Sequence, residues 1–231
     1  MTALLKADFH LHTAEDPEDL VRYTAEDLID MARAAGYGVL AITNHNRVTW
    51  NERLAAYARD RGIVLIPGME ATIEGRHVLL YNVDPAEVDR SSLEALVRLR
   101  REETLVIAPH PFYPSPCALR GRFRANVHLF DAVEYCHFRG RGVDFNRPAQ
   151  ALAARYGLPM VGTSDAHQRV QFHTTYTLVE AEPDAASVIR AVKAGRVRVV
   201  SRPLPLATLA RIWLRMTWRN KVVRRLSRPR A

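Results

Sequence analysis

Six of the nine histidines stand in short polar clusters beside apolar, strand-like runs, several with carboxylates alongside. Asp8-Phe9-His10-Leu11-His12 closes the run 4–9. Residues two apart on an extended segment face the same side, so Asp8, His10 and His12 can converge on one ion. Asn44-His45 follows the run 39–43. Glu70 follows the run 63–66 after Pro67-Gly68, and His77 opens the run 77–83. His110 follows 105–108 within Pro109-His110-Pro111, while Asp165 and His167, again two apart, follow 160–162. Mixed imidazole and carboxylate donors suit Zn²⁺, Mn²⁺ or Fe²⁺ and disfavour Ca²⁺ or a lone Mg²⁺. One histidine at a strand end is ordinarily a surface or hydrogen-bonded residue. Six in comparable positions, with Glu70 and Asp165, call for a metal cluster.

The elements that position these residues alternate between strand-like and helix-like, which predicts an α/β architecture with parallel strands. Thr24-Ala25-Glu26-Asp27 reads as a helix N-cap, and Leu28, Ile29, Met31, Ala32 and Ala35 form an apolar face ending at Gly36. Further helices are expected over 50–61, 91–103, 148–156 and 185–193. About seven βα-type units suggest a barrel, although periodicity alone leaves an open sheet equally available. The stretch 111–126 has three prolines, Cys117 and several arginines, and reads as a functional loop. Asn146 reads as a helix cap. Cys136 adjoins the apolar run 132–135 and reads as a small buried residue.

At 231 residues and 48% hydrophobic, the chain can build a sizeable core. Two cysteines without CxxC spacing suit a reducing cytoplasm. The N-terminus lacks the long apolar stretch of a signal peptide, and no run reads as membrane-spanning. The net charge of +8 is uneven: no acidic residue follows Asp184, and 13 of the 33 Lys and Arg lie between Arg190 and Arg230. Residues 1–184 carry a formal charge of −5, so the basic isoelectric point belongs to the tail.

DFHLHT, AITNHN, IPGMEA, APHP and GTSDAH, in this order and spacing, resemble the PHP family, named for polymerase and histidinol phosphatase. The resemblance covers residues 4 to about 180. It implies a distorted (β/α)7 TIM-like barrel over residues 1–202, a trinuclear site and hydrolysis of phosphate esters. On that likeness His10 and His12 hold one ion with Glu70 and Asp165. Glu70 bridges to a second held by His77 and His110, and His45 and His167 hold a third with an acidic residue, Asp16 ahead of Glu15. Glu70, Asp165 and His110 are the catalytic candidates. The family's second motif ordinarily reads Thr-Asp-His; here it is Thr43-Asn44-His45, and Asn44 supports His45 without a negative charge.

Two ions about 3.5–4 Å apart neutralise phosphate oxygens and lower the pKa of a bridging water towards ~7, which predicts in-line attack by hydroxide. Two or three divalent ions (Mn, Zn or Fe) are the expected cofactors, and a small phosphomonoester or nucleotide-type ester the expected substrate. Arg139, Arg141 and His137 are candidate phosphate contacts. The alternatives are a metal-binding regulatory module without turnover, or a nuclease acting on strand ends. The acidic body argues against extended nucleic-acid binding. The tail, 203–231, follows Pro203-Leu204-Pro205 and reads as a basic amphipathic helix bearing Leu206, Leu209, Ile212, Trp213, Met216, Trp218, Val222 and Val223. Such a helix packs on the barrel, lies on an anionic membrane surface, or contacts nucleic acid or an acidic protein. A cytoplasmic protein, peripheral to the membrane on the second reading, is the expectation.

Overall fold

The structure, a computed structural model, describes residues 2–140, 143–202 and 204–226. In chain order the elements are β1 (Ala3–Leu11), α1 (Ala25–Ala34), β2 (Val39–Ile42), α2 (Glu52–Arg59), β3 (Val64–Ile73), β4 (Arg76–Tyr81), β5 (Leu105–Ala108), α3 (Gly121–Ala125) and β6 (Ala132–Cys136). There follow β7 (Arg139–Gly140), β8 (Val143–Asp144), α4 (Arg147–Tyr156), β9 (Met160–Thr163), β10 (Thr175–Ala181), α5 (Ala185–Lys193), β11 (Val197–Ser201) and α6 (Leu206–Leu226).

Local chemistry sets several boundaries. Thr24 and Asp27 form a reciprocal capping box that starts α1, whose Leu28, Ile29 and Ala32 are buried. Asp184 accepts from the Ser187 amide at 2.8 Å and starts α5. Gly157, at φ +67°, ends α4 in a left-handed turn that a side chain would resist. The segment expected as a helix over 91–103 is instead a 3₁₀ stretch, Leu93–Leu99. Its buried residues are Leu93, Leu96 and Leu99, a spacing of three that suits three residues per turn better than 3.6.

Nine strands form one sheet in the order β11-β10-β1-β2-β3-β4-β5-β6-β9. It is mixed rather than parallel: β1-β2-β3 and β5-β6-β9 run parallel, while β4 lies antiparallel between β3 and β5. The two-residue turn Glu74-Gly75, both at positive φ, turns β3 straight back into β4. β10 pairs antiparallel with β1, and β11 antiparallel with β10. The sheet curls into a nearly closed barrel, with β9 coming against β10 and β11. No backbone ladder joins β9 to β10. Thr177 Oγ1 donates to the Gly162 carbonyl at 2.8 Å instead, and a Cβ on Gly162 would lie 2.6 Å from the Tyr176 carbonyl oxygen. Glycine is what permits this approach.

Apolar layers surround the sheet. Leu28, Ile29 and Leu54 of α1 and α2 pack with Leu11, Leu40 and Ile42. Val188, Ile189 and Val192 of α5 pack with Ala7, Val39 and Val179. In the third layer Ala149 and Ala153 of α4 join Leu93, Leu96 and Phe123. In α6, Leu209 and Ile212 are buried, whereas Leu206, Trp213, Leu214 and Trp218 are exposed. The side chains of Met216, Val222 and Val223 lie outside the described residues. Among the described residues, no helix is long and apolar enough to cross a membrane.

Candidate metal centre

Strand ends carry the cluster. His10 lies in β1 and His12 just beyond it, where the His12 amide donates to the Ala166 carbonyl at 3.3 Å. Glu70 lies within β3, its amide turned to the carbonyls of Thr43 and Asn44, so that β3 runs on beside His45. His77 is in β4, His110 follows β5, and Asp165 and His167 follow β9. Asp165 and His110 adopt positive φ, at 43° and 25°. Neither residue is glycine, so both positions store backbone strain that the surroundings must hold in place.

Glu70 is the hub. Its Oε2 lies 3.2 Å from His10 Nε2, 3.3 Å from His12 Nε2 and 3.2 Å from His45 Nε2. Its Oε1 lies 2.6 Å from His77 Nδ1 and 3.3 Å from His110 Nε2. Asp165 Oδ1 lies 3.5 Å from Nε2 of both His10 and His12. Each carboxylate oxygen of Glu70 thus faces its own set of imidazoles.

The electrostatics call for cations. Burial disfavours an imidazolium at His10, yet Asp165, Glu70 and Glu134 together hold its pKa well above the usual range. Burial opposes charge at His12 too, and Asp16, Asp165 and Glu70 outweigh it. His77 is raised to about 10, against burial, by Glu70 and Cys117. Burial would raise Glu70, but His77, His10 and His45 hold it well below the carboxylate range.

The donors fit divalent metal. His10 Nε2 and His12 Nε2 are 3.2 Å apart and face the same carboxylate oxygens. Two nitrogens each about 2.0–2.1 Å from one tetrahedral ion would be separated by about 3.3 Å. Ring nitrogens or carboxylate oxygens converge within 4.8 Å in four groups here: His10, His12 and Asp165; His10, Glu70 and His110; His45, Glu70 and His77; and His12, His45 and His167. His167 Nε2 is buried and makes no hydrogen bond, although Asp19 Oδ2 lies 2.9 Å away. That contact is close but misdirected for a proton, as expected where two donors face a shared ion.

Residues 144–197 match the family described as PHP-associated. The fold resembles the crystal structure of a two-domain protein containing a predicted PHP-like metal-dependent phosphoesterase from Bacteroides vulgatus, at TM-score 0.67 and 20% identity over 87% of this chain and 66% of that one. That match and that shared fold agree with the resemblance of the sequence motifs to the PHP family. A lesion-specific endonuclease from Pyrococcus furiosus shares the fold at TM-score 0.61 and 14% identity, over 85% of this chain and 58% of that one. The chain therefore spans less than two thirds of either structure. An uncharacterized protein of Methanocaldococcus jannaschii, MJ1587, is 26% identical over 135 residues, 51% of this chain and 74% of its own length.

Asp16 and Asn44 make other contacts than the resemblance implies. Asp16 Oδ2 accepts from His12 Nδ1 at 2.8 Å, from the His45 amide at 2.9 Å and faces His45 Nδ1 at 3.0 Å. Its Oδ1 accepts the amides of Glu18 and Asp19. Asp16 thus grips two rings from behind, and Asp19 reaches His167. Glu15 turns away to accept the Ala25 amide. Asn44 does not hold the His45 ring. Its Oδ1 accepts from the Thr13 amide and its Nδ2 donates to Thr13 Oγ1 and Thr49 Oγ1, tying the end of β1 to the end of β2. Asp8 likewise stays behind the cluster, accepting the amides of His10 and Ser164, and burial raises its pKa to about 7.

Sequence reasoning missed Glu134, although a carboxylate inside the apolar strand Ala132–Cys136 was a visible signal. It is fully buried. Its Oε1 accepts from His10 Nδ1 at 2.7 Å and from Thr163 Oγ1, and its Oε2 accepts the His110 amide. Gln171, also missed, donates to the Asp165 carbonyl at 3.0 Å and accepts the His167 amide at 3.2 Å. His137 is buried, 3.2 Å from Gln171 Nε2, and burial lowers its pKa to about 4; its ring nitrogen groups with Cys136 and Asp165. Cys136 is itself buried. Asn146 is not a side-chain cap: it pins Cys136 through both backbone groups. Arg139 donates to Tyr135 Oη at 3.0 Å and does not line the metal cavity. Arg141 lies outside the described residues.

Proposed function

We propose that the chain is a metal-dependent phosphoesterase that hydrolyses a small phosphate ester. The observation that carries this reading is the division of Glu70, with Oε2 towards His10, His12 and His45 and Oε1 towards His77 and His110. A carboxylate shared in this way suits two neighbouring ions, with Asp165 completing the first set. Asp19, beside His167 and near His45, is a better-placed acidic donor for a third ion than Asp16. Mn²⁺, Zn²⁺ and Fe²⁺ all suit these donors. Such ions supply Lewis acidity to phosphoryl oxygens and lower the pKa of water to about 7.

The protein's own part is orientation and enclosure. Glu134 and Asp16 fix the tautomers of His10 and His12 by accepting from Nδ1, which leaves each Nε2 lone pair directed inward. The cavity beside the cluster has a volume of about 170 Å³, with His45, His110, Asp165, Tyr113 and Phe138 among its walls. That space suits a phosphoryl group better than a whole ester, and the two aromatic rings limit water. Among the described residues, neither Lys nor Arg lines it. Ions held by the cluster would meet the charge of a bound phosphate, and a serine or cysteine nucleophile is not required.

Turnover of phosphomonoesters, nucleotides and single-stranded oligonucleotides by Mn²⁺-loaded protein tests the reading. Hydrolysis of small phosphomonoesters, abolished by Glu70→Gln, is expected. Cleavage of oligonucleotides alone would favour a nuclease, for which the fold shared with the Pyrococcus endonuclease is the support. No turnover by fully metallated protein would favour a binding module.

A further inference from the structure

α6 buries one side and exposes another. Leu209 and Ile212 are buried, and Gln168 Nε2 donates to the Ile212 carbonyl at 3.5 Å, so the helix is fastened to the barrel through that side. Leu206, Trp213, Leu214 and Trp218 stand 49%, 53%, 58% and 68% exposed. Among the described residues, the other large exposed apolar side chains, Leu4, Leu20, Val97, Tyr156 and Val170, lie on separate segments, whereas these four share residues 206–218. At about 100° per residue the four fall within an arc of about 140°, which also contains Ala210 and leaves Leu209 and Ile212 outside. Arg211 and Arg215, both exposed, flank the arc. A helix already docked by one side gains nothing from a second apolar stripe in water. Clustered Trp and Leu surface costs free energy there and marks a contact.

Charge complementarity selects the partner. From Leu206 onward the sequence has eight Lys or Arg and no Asp or Glu, while residues 1–184 carry a formal charge of −5. An anionic surface therefore attracts this end of the chain and repels the rest, which orients the contact. Leucine and tryptophan side by side on a basic helix suit a bilayer. Its hydrocarbon edge takes Leu206 and Leu214, the indoles sit at headgroup level, and the arginines meet lipid phosphates. A nucleic acid would meet the arginines but offers nothing in return for burying the leucines. We infer that α6 is a peripheral anchor, lying flat on an anionic membrane with Leu206, Trp213, Leu214 and Trp218 inserted and the barrel held at the surface. The inference stands independently of the phosphoesterase reading.

The full-length chain is co-sedimented with vesicles of phosphatidylcholine alone or mixed with phosphatidylglycerol. Affinity for the mixed vesicles is expected to be about tenfold or more higher and to fall with added salt. The W213S/L214S/W218S variant is expected to lose binding while keeping the wild-type Tm, because all three changes lie on exposed side chains. Val97→Ser, an exposed apolar residue elsewhere, keeps binding. R211Q/R215Q weakens binding to the mixed vesicles. Quenching of tryptophan fluorescence by brominated lipid gives a readout that needs no variant. Of the three tryptophans, Trp50 donates to the Leu65 carbonyl within the barrel, so quenching reports Trp213 and Trp218. Absence of vesicle binding, equal binding by the triple serine variant, or binding without quenching overturns the inference. Arginine-dependent binding to a single-stranded oligonucleotide without vesicle binding would assign the helix to nucleic acid. A dimer in light scattering that the triple serine variant dissolves, again without vesicle binding, would assign it to a second copy of the chain. Either result overturns the membrane anchor.

Discussion

Glu134 Oε1 accepts the hydrogen of His10 Nδ1 at 2.7 Å, and neither side chain is exposed. The same carboxylate holds the His110 amide in a backbone conformation at positive φ. Glu134→Gln keeps the shape but weakens the acceptor, so metal affinity is expected to fall by about 10–100-fold. Competition against a chromogenic chelator measures it. Unchanged affinity would show that His10 needs no such support.

Asp16 and Asp19 divide two tasks that their spacing does not separate. Asp19 titrates at about 2, because contacts with His167, His45 and His12 outweigh its burial. Asp19→Asn is expected to lower the bound-metal count by one. Asp16→Asn is expected to preserve the count and weaken each site by about tenfold or more through the His12 and His45 rings. Metal analysis after dialysis distinguishes them, and the reverse pattern would return Asp16 to the ligand set.

Metal affinity is expected to rise with pH. His77 titrates at about 10 in the metal-free fold, and His10 and His12 well above their usual range. Unfolded histidine titrates near ~6.5. These raised values contribute stability that is complete below about pH 6.5 and is lost as pH climbs through the folded values. Metal ions compete with the same protons, so the rise in Tm on adding Zn²⁺ grows between about pH 6 and 8.5. A rise that shrinks over that range would contradict the assignment.

Gly162→Ala places a Cβ against the Tyr176 carbonyl and the Val199 side chain. Backbone cannot yield as a flexible side chain does, so a loss of about 1–3 kcal/mol is expected in urea unfolding. A neutral substitution would mean that β9 can withdraw from β10 freely.

The alternation of helices and strands was legible because each apolar face has its own period. Strand direction was not, since a short apolar run reads alike both ways; β4 owes its antiparallel course to the turn at Glu74-Gly75. The histidine cluster was legible because imidazoles recur at strand ends, and the structure brings His10, His12, His45, His77, His110 and His167 round Glu70 and Asp165. What escaped was support. Glu134 hides within a strand, and the turn by which Asp16 accepts the amides of Glu18 and Asp19 has no periodic signature. Asn44 was read through its neighbour His45, whereas its contacts are with Thr13 and Thr49.

The closing edge of the barrel and the metal centre meet at one place. His10 and His12 belong to β1 and its end, while Asp165 and His167 follow β9, across a gap with no continuous backbone ladder. An ion held by His10, His12 and Asp165 would act as a rivet between two staves that are otherwise joined by a few pegs. Chelation is then a mechanical event as well as a chemical one. The first amides to gain hydrogen exchange on metal removal are expected in 162–167, while the ladders among β2, β3 and β4 keep their protection.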